Sequence, residues 1–300
     1  MAFLPKNASG LTRRQVLKAF AASGIAVGGS GILYGSLEQH WRRTTAYRVK
    51  SVSWPGHYQP LKIAIAGDFH VGCPAVGLET LADIVADINA LKADIVLLPG
   101  DFLNSVEGLY CLNGIYIDPD ALAATFSKLE APFGVFSVLG NHDWNNAPAH
   151  LRYRLEKIGI CVLENEATQI SINGDPLWIT GIGDDSTGHA DLSRTFAQVC
   201  GTAPVIAMCH SPATFLDIQS YAGFRPALTV AGHTHGGQIC LPLVGALMKP
   251  NARVPWRYFY GHVREDDCDL VVTSGIGTSI FPLRVGMMPE IVSLDLAAAP

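Results

Sequence analysis

The chain has 300 residues, 49% hydrophobic and 16% charged, enough to bury a large core in one or two domains. A formal charge of −5 removes the basic footprint on which nucleic-acid readers depend, so no nucleic-acid partner is expected. A nucleotide or phospholipid substrate stays open, because bound cations supply local positive charge even on an acidic protein.

Residues 1–45 read as an address and linker rather than as fold. Lys6 opens a basic segment that reaches Thr12-Arg13-Arg14-Gln15-Val16-Leu17-Lys18, and an uncharged stretch rich in Gly, Ala and Ser follows over residues 19–37. Paired arginines ahead of a mildly apolar stretch resemble a twin-arginine export signal, with Val16 where that signal usually carries Phe. The alternative is an ordinary membrane anchor or a basic helix start. No small-x-small cleavage site precedes Trp41-Arg42-Arg43, and the stretch approaches the ~20 residues that cross a bilayer. The expectation is therefore engagement of the twin-arginine export machinery. The catalytic part would stand outside the inner membrane, released or anchored through residues 19–37. Seven scattered cysteines without a C-x-x-C pair suggest neither a disulfide framework nor structural zinc.

Past residue 45 the pattern predicts an edge strand over residues 46–53 and a buried strand over 62–66 ending at Gly67-Asp68. Residues 78–91 carry apolar side chains at helical spacing. A strand over 94–98 ends at Gly100-Asp101, a helix covers 121–129, and a strand over 134–139 ends at Gly140-Asn141-His142-Asp143. The second half reads as strands over 176–182, 204–209, 227–231, 270–274 and 290–294, with helices around 192–199 and 212–219. This alternation argues an α/β protein whose polar clusters sit at strand ends, where such sheets gather binding loops.

Those clusters are Asp68-x-His70, Gly100-Asp101, Gly140-Asn141-His142-Asp143, His210, and Gly232-His233-Thr234-His235. Carboxylate, imidazole and amide together suit Mn, Fe(II), Zn or Co. Asp68 and His70, two apart on an extended segment, would point to one side and grip one ion. His233 and His235 have the same relation, unless a turn sends them to different ions. Each piece alone is weak, and a lone His210 is ordinarily a hydrogen-bonded structural histidine. Five pieces at strand ends in this order are not.

The order D-x-H, G-D, G-N-H-D, H, G-H-T-H resembles the calcineurin-like metallophosphoesterase superfamily over residues 62–235. Gly232-His-Thr-His-Gly-Gly-Gln-Ile239, Ser274-Gly-Ile-Gly-Thr-Ser279 and Pro289-Glu-Ile291 resemble one exported or membrane-associated bacterial subfamily. The resemblance implies a four-layer α/β/β/α sandwich over residues 46–300 and two divalent ions. Asp68, His70, Asp101 and His235 would hold one; Asp101 would bridge to a second held by Asn141, His210 and His233. A hydroxide between the ions would attack a phosphodiester or pyrophosphate bond, with a lipid-linked or nucleotide-sugar-lipid substrate fitting the N-terminal address. A phosphomonoesterase or protein phosphatase is the alternative, and a non-catalytic metal-binding scaffold ranks below both. His142 would stand off the metals, stabilising charge or protonating the leaving oxygen. Asp143 would either orient His142 or cap the segment that begins at Trp144.

Asp184-Asp185 reads as a solvated turn before a contact with the site, and Arg284 as a surface ion pair before a phosphate contact. The apolar segment 241–248 reads as core, or as a lid facing acyl chains or the bilayer surface.

Overall fold

In the computed structural model, residues 30–104, 111–249 and 251–300 are described; the Arg13-Arg14 pair lies outside them. The first sheet takes β1 (Arg43–Ser51), β2 (Leu61–Ile65), β3 (Ile95–Leu98), β4 (Val135–Ser137), β5 (Ile160–Val162) and β14 (Glu290–Ala298), in the spatial order β1-β14-β2-β3-β4-β5. Strands β2 to β5 run parallel, while β14 is antiparallel to β2 and parallel to β1. The second sheet takes β6 (Glu166–Ile172), β7 (Asp175–Gly181), β8 (Val205–Met208), β9 (Leu228–Ala231), β12 (Gly261–Glu265) and β13 (Cys268–Val272), in the order β12-β13-β9-β8-β7-β6. A small hairpin, β10 (Cys240–Leu241) with β11 (Gly245–Ala246), stands apart from both.

Period-two side-chain direction stacks these sheets into four layers. In β2, Ile63 and Ile65 face the second sheet and meet Ile179, Ile206 and Val230. Ala64 between them faces the helices α2 (Leu78–Ala90), α3 (Pro119–Phe126) and α5 (Pro148–Lys157), where Leu81, Leu122 and Leu151 pack. On the far side, Ala207 and Ala231 point outward to Phe215 and Ile218 of α7 (Ala213–Ser220), with Phe196 of α6 (Leu192–Phe196) alongside. The result is the expected α/β/β/α sandwich. Strands buried on both faces read as continuous apolar runs, which is why β2, β3, β8 and β9 were legible.

The edge strand β1 was expected over 46–53 and runs Arg43–Ser51, but the edge strands β6 and β12 were not legible. β6 and β12 alternate half-buried and exposed positions and carry polar residues, so their apolar signal is diluted. β14 runs to Ala298, beyond the expected 294, because it pairs with β2 as far as Leu296 and with β1 as far as Ala298. α3 starts at Pro119, two residues earlier than expected, since Asp118 caps it by accepting the Asp120 N–H.

Residues 30–38 form helix α1, which lies against the 283–286 segment: Arg284 N–H donates to the Gly35 carbonyl and Gly286 N–H to Glu38. Among the described residues no helix is long and apolar enough to cross a membrane. The 241–248 segment is not core. Leu243 is fully exposed and Val244 is 68% exposed, because the β10–β11 hairpin projects from the sandwich.

Candidate metal centre

The parallel strands β2, β3 and β4 deliver Asp68, His70, Asp101 and Asn141 past their C-terminal ends, while β8 and β9 deliver His210, His233 and His235 past theirs. Both sheets thus present one edge to a shared cluster. All of these side chains are buried except the half-buried Asn141. The Asp68–His70 segment is not extended as its spacing implied. Asp68, His70, Asp101, His233 and His235 all take positive φ, between 43° and 69°. Such backbone is costly for non-glycine residues and persists only where surrounding bonds over-determine it. Here Asp68 N–H donates to the Gly100 carbonyl, His70 N–H to the Asp101 carbonyl, and Gly277 N–H to the Asp68 carbonyl.

The ligand atoms fall into two overlapping groups. In the first, His70 Nε2 stands 3.0 Å from His235 Nε2 and 3.5 Å from Asp101 Oδ2, and Asp68 Oδ1 lies 3.9 Å from His235 Nε2. In the second, His210 Nε2 is 3.3 Å from Asp101 Oδ2, 3.1 Å from Asn141 Oδ1 and 3.1 Å from His233 Nδ1. Asp101 belongs to both. His233 and His235 consequently face different groups, because the positive φ of both histidines, with Thr234 in the helical region between them, turns the backbone.

This donor set fits divalent cations. The Pro99 carbonyl can only accept, so His210 Nδ1 carries the proton and donates across 2.7 Å. Its Nε2 faces the oxygens of Asp101 and Asn141, so positive charge belongs there, either a second ring proton or a cation that takes the Nε2 lone pair. Burial pushes the Asp68 carboxyl up to about 7. It also holds the His70 and His235 imidazoles well below their ordinary range and His233 down at about 4, leaving neutral rings that suit metal ligation. At Asp101 burial opposes the charge, yet the surrounding imidazoles, His210 foremost, outweigh it and keep the carboxylate ionised. Asp101 in turn draws His210 upward against burial. A divalent cation among these atoms would balance Asp101 as the His210 proton otherwise does.

His142 sits inside the same cluster. Its backbone N–H donates to Asp101 Oδ1 at 2.9 Å, and its ring meets the His70 ring edge-on at 4.5 Å. A ring nitrogen of His142 also lies within 4.8 Å of ligand atoms on His70 and Asp101. Asp143 takes a third course beside the two expected. It occupies the third position of the short helix α4 (Asn141–Trp144), which Gly140 begins, so it is not the cap before Trp144. Its carboxylate accepts the N–H groups of Asp101 (2.7 Å), Phe102 (2.9 Å), Leu103 (3.3 Å) and Gly140 (3.0 Å). Burial, followed by the Asp101 charge, raises this carboxyl to about 7 against those four donors.

Two further expectations are corrected. Arg284 is fully buried, not a surface residue: its guanidinium donates to the carbonyls of Gly277, Ser274 (2.9 Å) and Met287 (3.2 Å), and Nη2 lies 3.2 Å from His235 Nδ1. It ties the 274–287 loop behind His235, which leaves its donors committed to backbone. Asp184 is buried too, closing its turn through Ser186 and Thr187 instead of facing solvent.

The cluster opens into a cavity of about 440 Å³ whose far walls are Gln238, Met248, Lys249, Ser279 and Ile280. Pattern reading did not single out Gln238, although it lies in the run after the histidine pair. Its side-chain amide donates to the carbonyls of Ser279, Phe281 and Leu283, fixing the opposite wall. Lys249 supplies an exposed cation at the rim.

The model of the calcineurin-like phosphoesterase family matches residues 61–237. A Bacillus subtilis protein described as the uncharacterized metallophosphoesterase YkuE is 29% identical over 95% of this chain and 98% of its own length. The Escherichia coli phosphodiesterase YaeI is 28% identical over 95% of this chain and 99% of its own. The Chlamydia trachomatis UDP-2,3-diacylglucosamine pyrophosphatase LpxG is 25% identical over 65% of this chain and 71% of its own. With more than half of its length matched by the family model and the motif residues gathered at the strand ends of both sheets, this chain belongs to the calcineurin-like phosphoesterase family.

Proposed function

We propose that this phosphoric ester hydrolase cleaves a phosphodiester or pyrophosphate bond in a lipid-linked or nucleotide-sugar-lipid substrate, outside the cytoplasm. The observation that carries the reading is the convergence of seven donor side chains from two sheets, of which Asp101, Asn141, His233 and His235 line one cavity walled by Met248 and Ile280. The names of two relatives, a phosphodiesterase and a pyrophosphatase of a diacylated sugar nucleotide, agree with it. We further infer two divalent ions, which Asp68, His70 and His235 on one side and Asn141, His210 and His233 on the other would hold, with Asp101 available to both sets.

The chemistry that divalent ions supply at such a ligand set is acidification of water and neutralisation of phosphoryl charge. The chain's own groups do the rest. Lys249 at the rim meets a second anionic group of the substrate. Met248 and Ile280 exclude water and accommodate an apolar moiety. The His142 ring, beside the shared carboxylate, protonates the leaving oxygen. Asp143 and Arg284 keep the loops of Asp101 and His235 in register.

The test is hydrolysis of a chromogenic bis-aryl phosphodiester beside the matching monoester by the full chain with Mn(II). Faster diester cleavage, reduced about 10²–10⁴-fold in His142→Ala with metal content retained, is the expected result. Faster monoester cleavage would favour the phosphomonoesterase alternative, and no turnover of either ester would remove the enzymatic reading.

A further inference from the structure

We propose that the rim of the metal-cluster cavity is a docking face for a lipid bilayer, built from the β10–β11 hairpin, the 280–283 segment and helix α1.

The hairpin tip is the first observation. Leu243 holds a φ of 65°, a conformation in which glycine or asparagine is the inexpensive choice, and projects its side chain wholly into solvent. Val244 and Leu247 beside it are 68% and 54% exposed. No charged residue occurs over 240–248 or 279–283. Single exposed apolar residues are ordinary on a soluble surface, but a contiguous uncharged group is not.

Contiguity is set by the backbone. Cys240 N–H donates to the Val285 carbonyl at 2.7 Å, which lays the hairpin beside the 280–285 segment. Ile280 and Phe281 there are 44% and 43% exposed, and Ile280 also walls the cavity. Arg284 N–H reaches the Gly35 carbonyl of α1 at 2.9 Å, so the helix borders the same segment. Its Ile32 and Leu33 are each 63% exposed.

The occupant follows from chemistry on the same face. Residues 19–37, which include most of α1, carry no charge and are rich in Gly, Ala and Ser, a composition and length that a lipid phase accommodates. Lys249 Nζ lies 5.6 Å from the exposed Trp256 ring, a cation and an aromatic at the border of the apolar group. Trp and Lys collect at that level of a bilayer, where one end of the side chain is apolar and the other wet. With Leu243 and Phe281 in the acyl region, the cavity mouth would open at headgroup depth. A lipid-borne phosphoester would then reach the cluster without leaving the membrane. That catalytic consequence rests on the lipid-substrate reading above; docking itself does not.

The experiment uses the full chain and separates the two. Leu243→Trp places a fluorophore at the hairpin tip, and its added emission over the parent is followed with vesicles of phosphatidylcholine and phosphatidylglycerol brominated on the acyl chains. Docking predicts quenching of most of that emission, and the paired variant Leu243→Glu/Val244→Glu predicts a tenfold or greater loss of cleavage of a vesicle-borne lipid phosphodiester. Cleavage of the soluble bis-aryl diester by this variant should remain within twofold of the parent. An unquenched tip on protein that still sediments with vesicles would overturn the proposal, leaving residues before α1 as the sole attachment. A tip emission that changes with protein concentration and ignores vesicles would assign the face to a second copy of the chain, and also overturn it. Quenching without turnover of any ester would leave docking standing and remove the enzymatic reading.

Discussion

The Asp143 carboxylate accepts the backbone N–H of Asp101 at 2.7 Å, so a residue of the G-N-H-D motif fixes the loop that carries the shared ligand. Asp143→Asn replaces one acceptor oxygen by an NH₂ group facing backbone donors. Metal affinity should fall about 10–100-fold, the range for outer partners of metal ligands. Metal titration of Asp143→Asn beside His142→Ala checks this; affinity equal in the two variants would show that Asp143 does not act through the Asp101 loop.

Gly140 admits that loop. A Cβ there would strike the Asp101 carboxylate and lie 2.7 Å from the Asp101 backbone nitrogen, while Gly100 at φ +91° approaches from the other side. Gly140→Ala should cost about 1–3 kcal/mol of stability from overpacking and lower bound metal. Gly56→Ala, whose Cβ meets nothing within 4 Å, should stay within about 0.5 kcal/mol. Denaturant unfolding with metal analysis compares the two, and equal stability would refute the close-approach argument.

Glu164, behind the Gly140-Asn141 turn and sensing the Asp143 charge, gives a pH dependence of its own. It accepts the Leu139 N–H at 2.6 Å, and burial raises its carboxyl from 4.5 to about 8. The folded state therefore keeps this proton where the unfolded chain releases it. Stability from this group is complete below about 4.5 and declines as pH rises toward 8. Glu164→Gln keeps the acceptor and removes the ionisation. Relative to the parent it should gain on the order of a few kcal/mol between pH 5 and pH 9. Parallel unfolding curves at the two pH values measure the difference, and a constant offset would show that Glu164 does not titrate in this window.

The export reading depends on Arg13 and Arg14. Replacing both by Lys keeps the charge but not the paired guanidinium groups, and should retain the protein in the cytoplasm. Fractionation of cells expressing parent and variant decides it; equal export would remove the twin-arginine assignment.

Sequence alone determined the α/β alternation, the buried strands and the identity of the residues at their ends. The reason is local: double-sided burial writes an unbroken apolar run, and a glycine-polar pair after it marks the loop. Edge strands such as β6 and β12 escaped because a half-solvated strand dilutes that pattern. Only tertiary structure decided the partners of each side chain. The positive φ at Asp68 and His70, the commitment of Asp143 to backbone N–H groups and the burial of Arg284 arise from bonds between segments far apart in the chain. The same holds for the 241–248 segment, whose apolar composition suits a core or a lid equally well. Its exposure followed from the pairing of β10 with β11 beyond the sandwich, a choice that hydrophobicity by itself does not encode.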